Sequence, residues 1–167
     1  LFADCITGFT QIEDECYYMN DLAILIEILD KSCIDYDNDG ENGIVECILN
    51  NELDLDQNTF FSVLEVGIQE WEDGRLISLN CNFEVNGEYT SCYLADSITL
   101  PANIGNWSSL RSLELRNNGI YGTLPSSLSN MENLKYIDLS NNHLVGPFPD
   151  IGNLNFLEFI DLSNNSL

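Results

Sequence analysis

From Leu110 to Leu167 the apolar residues fall into a phase that neither an amphipathic helix nor an ordinary strand produces. Apolar residues stand at Leu110, Leu113 and Leu115, an asparagine follows at Asn118, and Gly122 and Pro125 close the unit. The same order returns at Leu134, Ile137, Leu139, Asn142, Gly146 and Pro149, and opens again at Leu157, Ile160, Leu162 and Asn165. The steps are 24 residues from Leu110 to Leu134 and 23 from Leu134 to Leu157. An earlier copy starts at Leu76, Leu79 and Cys81 and ends in Leu100, Pro101, Ile104 and Asn106, lengthened by ten residues between Cys81 and Pro101. In each copy the alternation predicts a short strand that turns Leu113 and Leu115 inward and Glu114 outward. One copy cannot bury its own apolar face, so neighbours must stack. Asn118, Asn142 and Asn165 fall at the turn leaving the strand, where a buried carboxamide satisfies backbone groups that the turn leaves unpaired; stacked copies then form an asparagine ladder.

Ahead of the repeats, Asn20-Asp21 followed by Leu22 to Leu29 predicts an N-capped, largely buried helix. Asn58-Thr59 followed by Phe60, Phe61, Val63, Leu64, Ile68 and Trp71 predicts a second. Residues 71–75 then place a glycine turn before the strand at Leu76. The chain divides into an acidic helical segment 1–75, a divergent first repeat 76–109 with a cysteine-bracketed insertion, and repeats 110–167 that stop within a repeat, as expected of a longer natural chain. The first stacked copy would expose an apolar edge, so segment 1–75 is expected to cap it.

This pattern resembles the leucine-rich repeat family. The segments Gly122-Thr123-Leu124-Pro125 and Gly146-Pro147-Phe148-Pro149 are similar to its 24-residue plant-type extracellular subtype. The resemblance implies an α/β solenoid, a right-handed coil with short parallel strands on its concave face and a helical, disulfide-braced N-terminal cap. The helix at Asp21 to Leu25 and the segment 71–79 are similar to parts of such caps. Their Cys-x-Trp-x-Gly-Val-x-Cys signature is matched only faintly, by Gly43-Ile44-Val45-Glu46-Cys47, so plant and microbial, fungal or algal secreted relatives all stay open. The outward strand positions form three rows: Ser112, Glu114, Arg116; Tyr136, Asp138, Ser140; Phe159, Asp161, Ser163. The resemblance implies that this concave face is where a ligand is recognised. Tyr136 and Phe159 beside the acidic column Glu114, Asp138 and Asp161 suit a basic peptide or a stacked sugar ring. Equally, Asp-Leu-Ser is ordinary consensus in this repeat class, and the acidic column then reflects only the repeat.

Charge narrows the partners. Among 167 residues, 28 acidic side chains against 5 basic give a net charge of −23, and 19 of the acids lie in residues 1–75 against Lys31 and Arg75 alone. Such a chain repels phosphate backbones and anionic lipid, which excludes nucleic acid and leaves cations, basic proteins and neutral glycans. No apolar run approaches 18 residues, so no membrane span is expected. Six cysteines without a Cys-x-x-Cys pair, and a single His143, favour disulfides over zinc. Disulfides point to an oxidising compartment, and the chain opens at Leu1-Phe2 without Met, as expected of a processed secreted, extracellular or cell-surface protein. Cys81 and Cys92 sit on one excursion from a strand and are expected to pair, leaving Cys5, Cys16, Cys33 and Cys47 to pair among themselves; six cysteines allow fifteen pairings, and spacing alone does not choose.

Two further motifs carry chemistry. Asp35, Asp37, Asp39, Gly40 and Glu46 fit every fixed position of the EF-hand calcium loop, with the Glu41 carbonyl as a further ligand and Glu46 bidentate. Asn42 replaces the usual apolar residue, Asn50-Asn51 shorten the exit helix, and Cys33 and Cys47 bracket the loop, so an acidic solvated turn is the alternative. Asn106-Trp107-Ser108 and Asn164-Asn165-Ser166 are N-glycosylation sequons. No nucleophile elbow, phosphate loop or dinucleotide fingerprint is present, and His143 falls at a surface turn position, so no enzyme activity is expected. The sequence points to non-enzymatic extracellular recognition of a protein, peptide or cell-wall glycan. A structural protein that self-associates through its C-terminal repeat edge or with calcium is one alternative, and an inhibitor of a secreted hydrolase is another.

Overall fold

The computed structural model describes residues 9–12, 15–32, 68–82 and 98–167. Near the N-terminus β1 (Phe9–Ile12) pairs antiparallel with β2 (Glu15–Tyr18), and α1 (Met19–Ser32) follows directly. One side of α1, formed by Leu22, Ile24, Leu25 and Ile28, is buried, while Met19 and Ile26 face outward. The helix begins ahead of Asn20, so Asn20 is not its N-cap. Its exposed amide donates instead to the Tyr18 hydroxyl at 3.3 Å.

Residues 68–72 do not continue a helix. They form β3 (Ile68–Glu72), which folds back antiparallel on β4 (Arg75–Asn80) with a bulge between Glu70 and Trp71. The cause is local: Asp73 and Gly74 both take left-handed backbone, at φ 50° and 71°, and this two-residue turn has the twist that joins paired strands. Trp71 packs edge-on against Tyr17 of β2 with ring centroids 4.9 Å apart, tying the two hairpins together. The expected helical stretch 58–67 lies outside the described residues.

From β4 onward the strands run parallel. β4, β5 (Ser112–Glu114), β7 (Tyr136–Asp138) and β9 (Phe159–Asp161) are adjacent in one five-stranded sheet with β3 on its outer edge. The register is constant: Ser78, Ser112, Tyr136 and Phe159 align, as do Leu79, Leu113, Ile137 and Ile160, and then Asn80, Glu114, Asp138 and Asp161. The middle row points into the core. A second parallel pair, β6 (Tyr121–Gly122) and β8 (His143–Leu144), follows the turns and is extended by a bridge from Val145 to Ser166.

Between strands the chain returns through 3₁₀ turns at Ile104–Asn106 and Ser126–Asn130. Ile104 and Trp107 from the first return, with Leu128 and Met131 from the second, close the core against Leu79, Leu110, Leu113, Leu115, Leu134, Ile137 and Leu139; α1 adds Ile24, Leu25 and Ile28 to the same cluster. The two returns approach so closely that a Cβ on Gly105 would run into the Ser127 carbonyl oxygen, which restricts this position to glycine. At β9 the packing opens. Ile160 is 38% exposed, where its equivalents Leu113 and Ile137 are fully buried, because β9 is the edge of the sheet.

Candidate functional site

The outward row of the sheet holds the most distinctive surface among the described residues. Strands in register lie about 4.8 Å apart, so side chains at matching positions meet. Tyr136 and Phe159 do so as a stacked pair, with centroids 4.3 Å apart and ring planes 9° from parallel. Phe159 is 40% exposed and Tyr136 half-buried, and the row continues through Ser112 and Ser78.

Carboxylates flank the rings, each held differently. Glu114 accepts from Ser112 Oγ at 3.2 Å on one oxygen, and from Asn80 and Asn82 Nδ2 at 3.1 Å on the other. Asp161 accepts from the Ser163 amide at 2.8 Å. Hydrogen bonds from the Ser163 hydroxyl and amide, aided by the Arg116 charge, hold the Asp161 carboxyl below its ordinary pKa of 3.8. Two members of the expected face do not reach it. Asp138 and Ser140 are 7% and 1% exposed, because the Ser140 amide and hydroxyl both close on Asp138 Oδ1, at 3.0 and 2.6 Å, and draw the pair under the surface. The open face therefore consists of Ser112, Glu114, Arg116, Tyr136, Phe159, Asp161 and Ser163. Its field is negative: desolvation first, then Glu114, Asp138 and Asp161, raise the Tyr136 hydroxyl above the ordinary 10.0, with Arg116 opposing. Among the described residues no three His, Cys, Asp or Glu side chains converge as a metal site.

Beneath the face runs a stack of asparagines. Asn142 donates to the Leu115, Leu139 and Ser140 carbonyls at 2.9, 3.0 and 3.2 Å and accepts from the Ile120 amide at 3.1 Å. Asn165 repeats this one coil later, donating to Leu139 and Leu162 and accepting from Leu144. Asn118 reaches back to the Cys81 and Arg116 carbonyls at 2.7 and 3.2 Å. Each ladder residue follows one in left-handed backbone, Asn117, Asn141 or Asn164, a conformation that asparagine tolerates.

Sequence reasoning missed the junction between α1 and the sheet. Asp21 is fully buried; Arg75 donates to it through Nε and Nη2 at 2.8 and 3.2 Å, and the Leu76 amide donates to it at 3.0 Å. The Asp21 carbonyl accepts from Trp107 Nε1 at 3.1 Å, and the Arg75 guanidinium lies 4.2 Å from the Tyr18 ring centroid. No sequence signal joins residues this far apart. Asn80 and Asn82, which fix Glu114, were also missed, although they occupy the outward positions of the first strand's end.

The remaining sequence-derived residues are distributed as follows. Asp35, Asp37, Asp39, Glu41 and Glu46 lie outside the described residues, as do Cys5, Cys33, Cys47 and Cys92; Cys16 stands in β2. Cys81 is buried and disulfide-bonded. Asn106 is exposed at the rim of an open polar recess formed with Tyr18, Arg75 and Ser108. Asn164 is exposed too, but its amide donates to Asn141 Oδ1 at 2.8 Å. No helix among the described residues is long and apolar enough to cross a membrane.

The leucine rich repeat family model matches residues 108–167. A solved structure, the leucine-rich-repeat ectodomain of the plant membrane receptor kinase GASSHO1/SCHENGEN3 from Arabidopsis thaliana in complex with CASPARIAN STRIP INTEGRITY FACTOR 2, is similar at 18% identity and a TM-score of 0.37. That alignment covers 85% of this chain and 21% of the receptor chain, so the chain spans about a fifth of that ectodomain. No curated protein matches the chain.

Proposed function

We propose that the chain is a secreted, non-enzymatic recognition module that binds a protein, peptide or cell-wall glycan on the concave face of a right-handed leucine-rich-repeat solenoid. The observation that carries this reading is the exposed Tyr136–Phe159 stack between Glu114 and Asp161, a large rigid apolar surface with polar flanks on consecutive repeats. In this reading 1–75 is the disulfide-braced cap, 76–109 the divergent first repeat and 110–167 the recognition array. The test presents the chain to peptide and glycan arrays beside the double variant Tyr136→Ala/Phe159→Ala. A ligand class retained by the parent and lost by the variant supports the reading, and equal capture by both removes it.

A second reading is favoured by the β9 edge, where Phe156, Phe159 and Ile160 are exposed: self-association of the chain through that strand. Light scattering showing a monomer at high concentration and high salt opposes it. Cys81 is assigned to Cys92, with the other four cysteines paired among themselves, and non-reducing peptide mapping checks the pairing. Asn106 is the favoured glycosylation site over Asn164, whose amide is engaged by Asn141; glycopeptide mass spectrometry of eukaryote-secreted protein reads both. Calcium bound by Asp35, Asp37, Asp39, Glu41 and Glu46 would stabilise the chain by mass action; no saturable heat at millimolar ion removes that assignment.

A further inference from the structure

The two faces of the Tyr136 ring are not equivalent. Phe159 covers one at 4.3 Å. On the other side the in-register neighbours are Ser112 and then Ser78, whose short side chains cannot span the strand spacing to cover an aromatic ring. Among the described residues this leaves a slot beside the ring, walled by Tyr136 and floored by Ser112 and Ser78. Glu114 closes its end. Its carboxylate is held in place by Ser112, Asn80 and Asn82, so it is already oriented before any ligand arrives.

We infer that this slot takes the guanidinium of an arginine presented by a basic peptide partner, stacked on the free face of Tyr136 and paired with Glu114. The inference rests on the recognition reading above and names the ligand's chemistry. A planar cation matches both features together: an aromatic face to stack on and a fixed carboxylate to pair with. Lysine satisfies the charge but not the plane. A sugar ring satisfies the stacking but leaves the negative field unanswered, and that field is strong enough, with desolvation, to oppose ionisation of the Tyr136 hydroxyl. Arg116 stands one outward position past Glu114 and is outnumbered by Glu114, Asp138 and Asp161. Charge complementarity extends to the whole chain, whose −23 draws basic partners and repels anionic ones. The exposed Phe159 ring, across Tyr136 from the slot, offers an apolar surface to a further residue of the same peptide.

The experiment selects random peptides on the full chain and measures the winners against the parent, Tyr136→Leu, Phe159→Ala and Glu114→Gln, each first shown to unfold cooperatively. Tyr136→Leu keeps apolar bulk and removes the π face. The selected peptides should be enriched in arginine over lysine. Replacing that arginine by lysine should weaken binding about tenfold on the parent and leave it unchanged on Tyr136→Leu, within the range of a partly desolvated cation–π contact. Peptides that lack arginine yet still lose binding on Tyr136→Leu overturn the guanidinium assignment and leave the recognition face standing. Peptides bound equally by all variants overturn both. A chain that selects no peptide, or that captures only neutral oligosaccharides on an array, overturns the assignment of a basic peptide.

Discussion

Replacing Asn142 with alanine removes four hydrogen bonds from a fully enclosed position. The Ile120 amide loses its acceptor, and the Leu115, Leu139 and Ser140 carbonyls each lose a donor. An unsatisfied buried donor costs about 1–3 kcal/mol, whereas a carbonyl with a second lone pair suffers less. Asn142 and Ile120 are 4% and 0% exposed, so water has no easy route to the orphaned groups. The expected loss is about 3 kcal/mol, a large share of a typical domain's stability. Asn165→Ala makes the same chemical change at a part-exposed position, where water replaces the lost partners, and should cost about 1 kcal/mol. Asn142→Asp keeps an acceptor for Ile120 but aims its second oxygen at three carbonyls, and should be no milder than alanine at neutral pH. Urea unfolding at constant m resolves these values. A midpoint for Asn142→Ala within about 0.5 kcal/mol of the parent, or a loss no larger than that of Asn165→Ala, refutes the reasoning.

Asp21→Ala strands the Leu76 amide and the inner side of Arg75, and should lower stability by about 3 kcal/mol; Asp21→Asn, which keeps an acceptor for Leu76, should lose less, and a chemical unfolding series ranks them. Gly105→Ala drives a methyl into the Ser127 backbone and should lower Tm by several degrees, whereas a neutral result means that the two returns can separate. Tyr136 should titrate above 10.0, and Glu114→Gln should bring it partway back in a spectrophotometric pH titration. Its folded pKa is raised, so its contribution to stability is present below about pH 10 and fades as pH climbs through the folded value; Tyr136→Phe should blunt that alkaline loss.

Legibility from sequence followed contact distance. The repeat phase marks the inward leucines and the turn asparagines because one local pattern recurs, and the parallel sheet with its register follows from stacking copies of it. The Asp21–Arg75 lock joins residues 54 apart in the chain and depends on where α1 docks, which no local period encodes. Residues 68–72 carry apolar side chains that read as the tail of a helix, but the Asp73-Gly74 turn pairs them with β4 before a helical register can extend. Alternation correctly places Asp138 on the outward side of β7, yet burial is decided by the serine two positions later folding onto it. Glu114 reads as a free carboxylate until Asn80 and Asn82, at the end of β4 and just beyond it, are seen to hold it.

The central claim is that ligand meets the outward face of the parallel sheet. A photo-crosslinking residue placed at exposed Ser163, at the end of the open face, and separately at exposed Ser126 on the return across the core, tests that location directly with a peptide selected on the parent chain. A crosslinked product is expected from position 163 and none from 126. Product from 126 alone, or equal product from both, contradicts it.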